Sequence, residues 1–169
     1  MRPAIQYMKT HLTGSLIGAE IGVYEGDNAY DILKNIPRVK HLYLVDPYTG
    51  DYWLYKPQYG KTVPPAKDKA TRKLAPYNDK TSWIFECFEA HQIKEPLDFI
   101  YIDACHSYEC VRHDIIEAEK IVKPGGIICG HDYYPAGVKE NRFGVGHAVR
   151  ERYGDKLQHR QTDWWIRYE

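Results

Sequence analysis

Residues 97–134, LDFIYIDACHSYECVRHDIIEAEKIVKPGGIICGHDYY, decide the fold. Leu97–Ile102 is a short apolar run with aromatic and β-branched residues, the mark of a strand buried on both faces. It ends at Asp103, and His106 follows. Val111, Ile115, Ala118 and Val122 then recur at three- or four-residue steps, which predicts a helix. Lys120 and Lys123 suit its carboxyl end, and Pro124-Gly125-Gly126 is read as its stop. Ile127–Gly130 is a second strand, ending at His131-Asp132. Two buried strands joined by a helix lie parallel through a right-handed crossover. Both therefore finish on one sheet edge, where open α/β sheets bind ligands. Asp103, His106, His131 and Asp132 are expected to meet there. Read singly, Asp103 caps a turn and Asp132 starts one. Read together, the four make a site.

Upstream, AIQYMKTHL (residues 4–12) can form a short amphipathic helix, with Ile5, Met8 and Leu12 on one face. Leu16–Ile21 is a first strand, running into Glu20-Ile21-Gly22-Val23-Tyr24-Glu25-Gly26. Asp27 or Asn28 is the expected cap of the next helix, which ends before Pro37. His41–Val45 is a second strand, closing at Asp46. Strand, glycine turn, helix, strand and acid form the opening unit of a nucleotide-binding α/β fold. The turn lets backbone approach a ligand, and the acid, roughly twenty residues on, can accept hydrogen bonds from a ribose. Alone, the same turn reads as an ordinary tight connection.

Tyr48–Tyr59 is rich in aromatic residues, with Pro57, Pro64 and Pro65 in and after it. It reads either as a lid over a substrate or as a satellite cluster on the domain's own surface. Ala66–Leu74 is a helix, Pro76–Asp79 a turn and Lys80–Phe85 a third strand ending at Glu86-Cys87. Phe88–Gln92 is a short helix. Residues 135–143 are an irregular loop, Val145–Tyr153 a helix, and the tail a closing hairpin with Trp164–Arg167 its clearer strand.

Lys+Arg and Asp+Glu both number 23, so net charge is zero and no nucleic-acid surface is indicated. No apolar run approaches the ~20 residues of a membrane span. The four cysteines, Cys87, Cys105, Cys110 and Cys129, form no C-x-x-C pair. They are expected to be reduced, buried or partly buried thiols in a cytoplasmic protein. His11, His41, His91, His113, His147 and His159 are assigned to surface or packing roles. No repeat or linker interrupts residues 1–169, so one domain is expected.

The blocks LDFIYIDACHSYE, KPGGIICGHDYY and GVGHAVRE resemble those of class I S-adenosylmethionine-dependent methyltransferases. More narrowly, they are similar to the small group related to macrolide-sugar and catechol O-methyltransferases and cephalosporin-hydroxylase-like proteins. Cys87 departs from the serine common in that group, and the helix after it is short. The resemblance implies a Rossmann-like α/β three-layer sandwich, its seven-stranded sheet mostly parallel with the last strand antiparallel. It implies S-adenosylmethionine held by Glu20, Gly22, Tyr24 and Gly26, with Asp46 on the ribose, Glu86 and Cys87 beside the adenine, and Asp103 at the same edge. It implies His106 as base, with Asp103, for O-methylation of a small hydroxylated acceptor. In metal-dependent relatives a divalent ion, usually magnesium, would take Asp103 and Asp132, with His131 as third ligand or as a neighbour of the ligands. Relatives are often dimers or larger, so a homo-oligomer is an expectation. Two other readings stay open: a binding module for S-adenosylmethionine or another metabolite without turnover, and a nicotinamide-dependent oxidoreductase built on the glycine turn and Asp46.

Overall fold

The short apolar runs of the sequence become strands, and the central ones, Leu16–Ile21, Leu97–Ile102 and the end of Val122–Gly130, are buried on both faces. The computed structural model describes residues 1–48, 63–135 and 144–169. The aromatic run after Tyr48 and most of the 135–143 loop lie outside them. In chain order the elements are α1 (Pro3–His11), β1 (Leu16–Ile21), α2 (Asp27–Asn35), β2 (Val39–Val45), α3 (Val63–Leu74), β3 (Thr81–Ile84), β4 (Leu97–Ile102), α4 (Tyr108–Glu119), β5 (Val122–Gly130), α5 (Val145–Tyr153), β6 (Gln158–Arg160) and β7 (Asp163–Arg167). They build one seven-stranded sheet of order β3-β2-β1-β4-β5-β7-β6. β3, β2, β1, β4 and β5 are parallel to one another, and β7 runs antiparallel to both β5 and β6. This is the expected Rossmann-like sandwich.

The alternation of side chains in β4 divides the core. Phe99 and Tyr101 point to the layer of α1, α2 and α3, where Ile5, Met8, Ile32 and Leu74 pack. Ile100 and Ile102 point to the layer of α4 and α5, with Val111, Ile115, Val145 and Val149. Phe99, Ile100 and Tyr101 are all 0% exposed, so both faces of the central strand are sealed. Burying a side chain of this size stabilises by about 2–3 kcal/mol. Among the described residues no helix is long and apolar enough to cross a membrane.

Several local expectations are corrected. α4 ends at Glu119, and Val122 belongs to β5, not to the helix. Lys123 therefore sits in β5 and bonds Asp98 at 2.8 Å. Pro124-Gly125-Gly126 is a bend inside β5, not a helix stop. It is pinned from the tail: Gly125 N–H donates to the Tyr168 carbonyl and Tyr168 N–H to the Gly126 carbonyl. Neither Asp27 nor Asn28 caps α2; Gly26 does, with φ +79°, and without a side-chain bond. The helix expected at Phe88–Gln92 shrinks to a 3-10 turn, Ala90–Gln92. On α5, Arg152 is exposed and pairs with Glu119 on α4. All four cysteines are free, but Cys87 is exposed.

The strand ends are fastened to one another. Asp46 N–H donates to the Ile84 carbonyl, Gly22 N–H to Val45, Asp103 N–H to Ile21, and His131 N–H to Ile102, at 2.8–3.1 Å. Gly22 has φ +90°, and a Cβ there would lie 2.2 Å from the Asp103 carbonyl oxygen. Glu20, two residues earlier, is 1% exposed. Asn28 Nδ2 donates to its Oε1 at 3.0 Å, while its Oε2 is buried without a hydrogen-bond partner. Burial, first, and then the nearby charge of Asp103 push the Glu20 carboxyl up to about 8, against the Asn28 bond.

Two predictions follow from these positions. Gly22→Ala must add strain from the left-handed backbone to a backbone clash, and is expected to lose about 3 kcal/mol or more in urea denaturation. Gly14→Ala, at φ +73° with nothing within 4 Å, is expected to lose only about 1 kcal/mol. Equal losses would remove the close approach of β1 and β4 as the cause. For Glu20, the folded protein holds a proton that the unfolded chain has released between about 4.5 and 8. Stability should therefore fall as pH rises through that window. Glu20→Gln is expected to flatten the fall, by a few kcal/mol at its upper end, in melts run from pH 5 to 9. Parallel profiles for the two proteins would refute it.

Candidate active site

The bond row along the sheet edge places the glycine turn, Asp46, Asp103 and His131 side by side, in the order in which their strands pair. Asp103, His106, His131 and Asp132 meet there. His106 Nε2 lies 3.4 Å from Asp103 Oδ1 and 3.1 Å from Asp132 Oδ2. His131 Nδ1 lies 3.2 Å from Asp132 Oδ1 and 3.9 Å from Asp103 Oδ1. Donor atoms of Asp103, His131 and Asp132 fall within 4.8 Å of one another, a spacing that one cation can span. Burial disfavours charge on His131, but the Asp132 bond and the Asp103 charge outweigh it and raise its pKa. Its Nε2 is 2.8 Å from Thr162 Oγ1.

The backbone carries strain at this edge. Asp132 has φ +57°, Tyr24 +50° and Tyr48 +47°, all in the left-handed region that non-glycine residues avoid. Such outliers persist only where the surroundings over-determine them, and they gather at functional sites. For Tyr24 and Tyr48 the determinant is Asp46, which is 3% exposed. Tyr24 N–H donates to its Oδ2 at 2.9 Å and Tyr48 N–H to its Oδ1 at 3.0 Å. The Tyr48 hydroxyl donates to the Tyr24 carbonyl at 2.6 Å, which closes the turn over the acid. Burial raises the Asp46 pKa against these bonds.

Glu86 and Cys87 follow β3 at the far side of the same edge. Gln92 Nε2 donates to Glu86 Oε2 at 3.2 Å and to the Cys87 carbonyl at 3.0 Å, which ties this loop back on itself. Burial raises the Cys87 thiol pKa, with Asp114, Glu89, Asp46 and Cys105 adding to it.

Four participants carry no signal in the sequence pattern. Arg2 Nη1 donates to Asp103 Oδ2 at 2.7 Å and to the Tyr101 hydroxyl at 3.1 Å. The Tyr101 hydroxyl donates to Asp163 Oδ1 at 3.2 Å, and Asp163 Oδ2 accepts the Ala4 N–H at 2.8 Å. Thr162 reaches His131 from the β6–β7 turn.

His113, assigned to a surface or packing role, stands in a second group with Glu89 and Glu117. Glu117 accepts the Ala90 N–H at 3.0 Å and pairs with Lys120, and Glu89 closes a capping box with Gln92. These contacts account for the group as a cap on the loop after β3.

Comparison with known proteins follows this geometry. Residues 19–133, more than half of the chain, match the family model of the methyltransferase domain. No curated protein sequence matches the chain. Among solved structures, an rRNA methylase from Streptococcus thermophilus superposes with a TM-score of 0.64 at 14% identity, over 100% of this chain and 98% of that one. The O-methyltransferase from Bacillus cereus, in complex with SAH, gives 0.65 at 14%, over 99% and 82%. N-methyltransferase NodS from Bradyrhizobium japonicum WM9 gives 0.60 at 16%, over 98% and 93%. At such identities the superpositions speak for the fold, and the family match for the lineage: the chain belongs to the methyltransferase-domain family and has the class I S-adenosylmethionine-dependent methyltransferase fold.

Proposed function

We propose that this protein is an S-adenosylmethionine-dependent O-methyltransferase acting on a small hydroxylated acceptor, a sugar or a phenol, with His106 as the base. The observation that carries the reading is the contact of His106 with both Asp103 and Asp132, beside the glycine turn and Asp46. The neighbouring folds include rRNA, N- and O-methylating proteins, so fold alone does not choose the acceptor. A net charge of zero offers no general attraction to a polyanion. An imidazole between two carboxylates suits deprotonation of a hydroxyl.

The cofactor fits the residues present. Glu20 Oε2 is buried without a partner at the turn, and can take a donor. Glu20 and the Gly22–Gly26 turn, with Tyr24, are assigned to the methionine part and Asp46 to the ribose hydroxyls. Glu86 and Cys87 are assigned to the adenine, with Asp103 at the same edge. When bound, S-adenosylmethionine supplies an electrophilic methyl on a sulfonium.

The chain's own work is alignment and proton removal. A hydroxyl is a poor nucleophile while protonated, and a positioned base is worth roughly 10²–10⁴ in rate. His106 is assigned that proton. Asp103 and Asp132, both close to its Nε2, stabilise the imidazolium that results. Asp103, Asp132 and His131 are the groups that a divalent ion would need at this rim, and Asp103 already carries the Arg2 guanidinium.

The test begins with calorimetric titration of S-adenosylmethionine and NAD side by side. Binding of the first alone is expected, and Asp46→Asn is expected to weaken it about ten-fold or more, near 1.4 kcal/mol. Methyl transfer from labelled cofactor is then measured over a panel of sugars and phenols. His106→Gln is expected to lower kcat about 100-fold with cofactor affinity unchanged. Tight cofactor binding with no transfer to any acceptor would favour the binding module. Binding of NAD alone would favour the oxidoreductase.

A further inference from the structure

The candidate metal-binding rim already holds a cation. Arg2 precedes α1, and its guanidinium bonds Asp103 Oδ2 at 2.7 Å and the Tyr101 hydroxyl at 3.1 Å. It also lies over the Tyr101 ring, 5.7 Å from the centroid. This placement is built into the fold. Asp163, 1% exposed, fixes the first turn of α1 through the Ala4 N–H and the Tyr101 hydroxyl with its other oxygen. One buried carboxylate thus sets both the chain that carries Arg2 and the phenol on which Arg2 rests. Pro3 restricts the backbone immediately after it.

The rim carboxylates already have close neighbours, and one of these, Arg2, is a fixed positive charge. Asp103 has Arg2 on Oδ2 and His106 beside Oδ1. Asp132 has His106 beside Oδ2 and His131 beside Oδ1. A divalent ion bound to Asp103, His131 and Asp132 would share its first carboxylate with a guanidinium that cannot lose its charge. Like charges so close repel strongly at a half-buried rim. The ion would also have to displace a charge-assisted hydrogen bond.

We infer that Arg2 is the resident counter-charge of this rim: it holds Asp103 where metal-dependent enzymes would use a divalent ion, and it competes with such an ion for that carboxylate. The inference takes the rim to be the acceptor site proposed above. On this account methyl transfer proceeds without added metal.

The experiment is a Mn²⁺ titration read by the electron paramagnetic resonance of the free ion. It compares the unaltered protein with Arg2→Gln, Arg2→Met and Arg2→Lys, each checked for folding by circular dichroism. Arg2→Gln and Arg2→Met are expected to bind Mn²⁺ at least ten-fold more tightly than the unaltered protein. Arg2→Lys, which keeps the charge and loses the fork, is expected to remain near it. Adding Asp103→Asn to Arg2→Gln should abolish the gain. Equal or weaker Mn²⁺ binding in both uncharged variants would overturn the inference, as would a gain of the same size in Arg2→Lys. Either uncharged variant suffices if the other fails to fold. Calorimetry of S-adenosylmethionine on the unaltered protein is run separately. Its failure would count against the methyltransferase reading, whereas the Mn²⁺ comparison bears on Arg2 alone.

Discussion

A row of four backbone hydrogen bonds, laid across the carboxyl edge of the sheet, holds this molecule's chemistry in place. Each joins the first residue beyond one strand to the last carbonyl of its neighbour: Asp46 to Ile84, Gly22 to Val45, Asp103 to Ile21 and His131 to Ile102. The ladder therefore does not end where the side chains become polar. Residues that would otherwise begin loops are held like strand residues, and their carboxylates and imidazole inherit the spacing of the sheet. The close approach at Gly22 is part of the same fastening, because only a residue without Cβ lets the β1 turn sit against the Asp103 carbonyl. Sites built on sheets and helices hold their geometry better than sites built on loops.

Much of this was legible in the sequence, for identifiable reasons. The runs Leu16–Ile21, His41–Val45 and Leu97–Ile102 are apolar on both faces, so parallel pairing and a common edge follow from helices placed between them. The acids at their ends, Asp46 and Asp103, needed only that topology to become neighbours. The errors lie where local pattern and tertiary pairing disagree. Val122 continues the helical period of α4 by spacing, yet it pairs with Leu97 in the sheet. Pro124-Gly125-Gly126 looks like a terminator, yet the tail supplies hydrogen bonds that let the strand pass through it. Asn28 looks like a cap, but the buried Glu20 engages its amide. Arg2 and Asp163 were out of reach for a different reason. Their partners lie 101 and 159 residues away, and no periodicity carries information over that distance.

The rim is electrostatically crowded, and its burial varies. Glu20 is sealed and raised toward neutrality, Asp46 is sealed but fed by backbone N–H groups, and Asp103 is partly open and paired with Arg2. Three carboxylates within one edge thus differ in what compensates them. A buried carboxylate without full compensation takes up a proton, whereas one with directed donors or a fixed cation stays available as an acceptor. The edge thus has a sealed end beside the glycine turn, where burial pushes Glu20 toward neutrality, and a more open end beside His106, where Arg2 stands on Asp103.

The bond between Ala4 and Asp163 also bears on when the site comes into being. Its two ends are separated by nearly the whole length of the sequence, and Arg2 hangs from one of them. A nascent chain that has not reached Asp163 can already pair β1, β2 and β4, but it cannot yet fix the guanidinium over Tyr101. The parallel pairing of β1, β2 and β4 and the seating of Arg2 thus draw on different stretches of the chain, joined through β7.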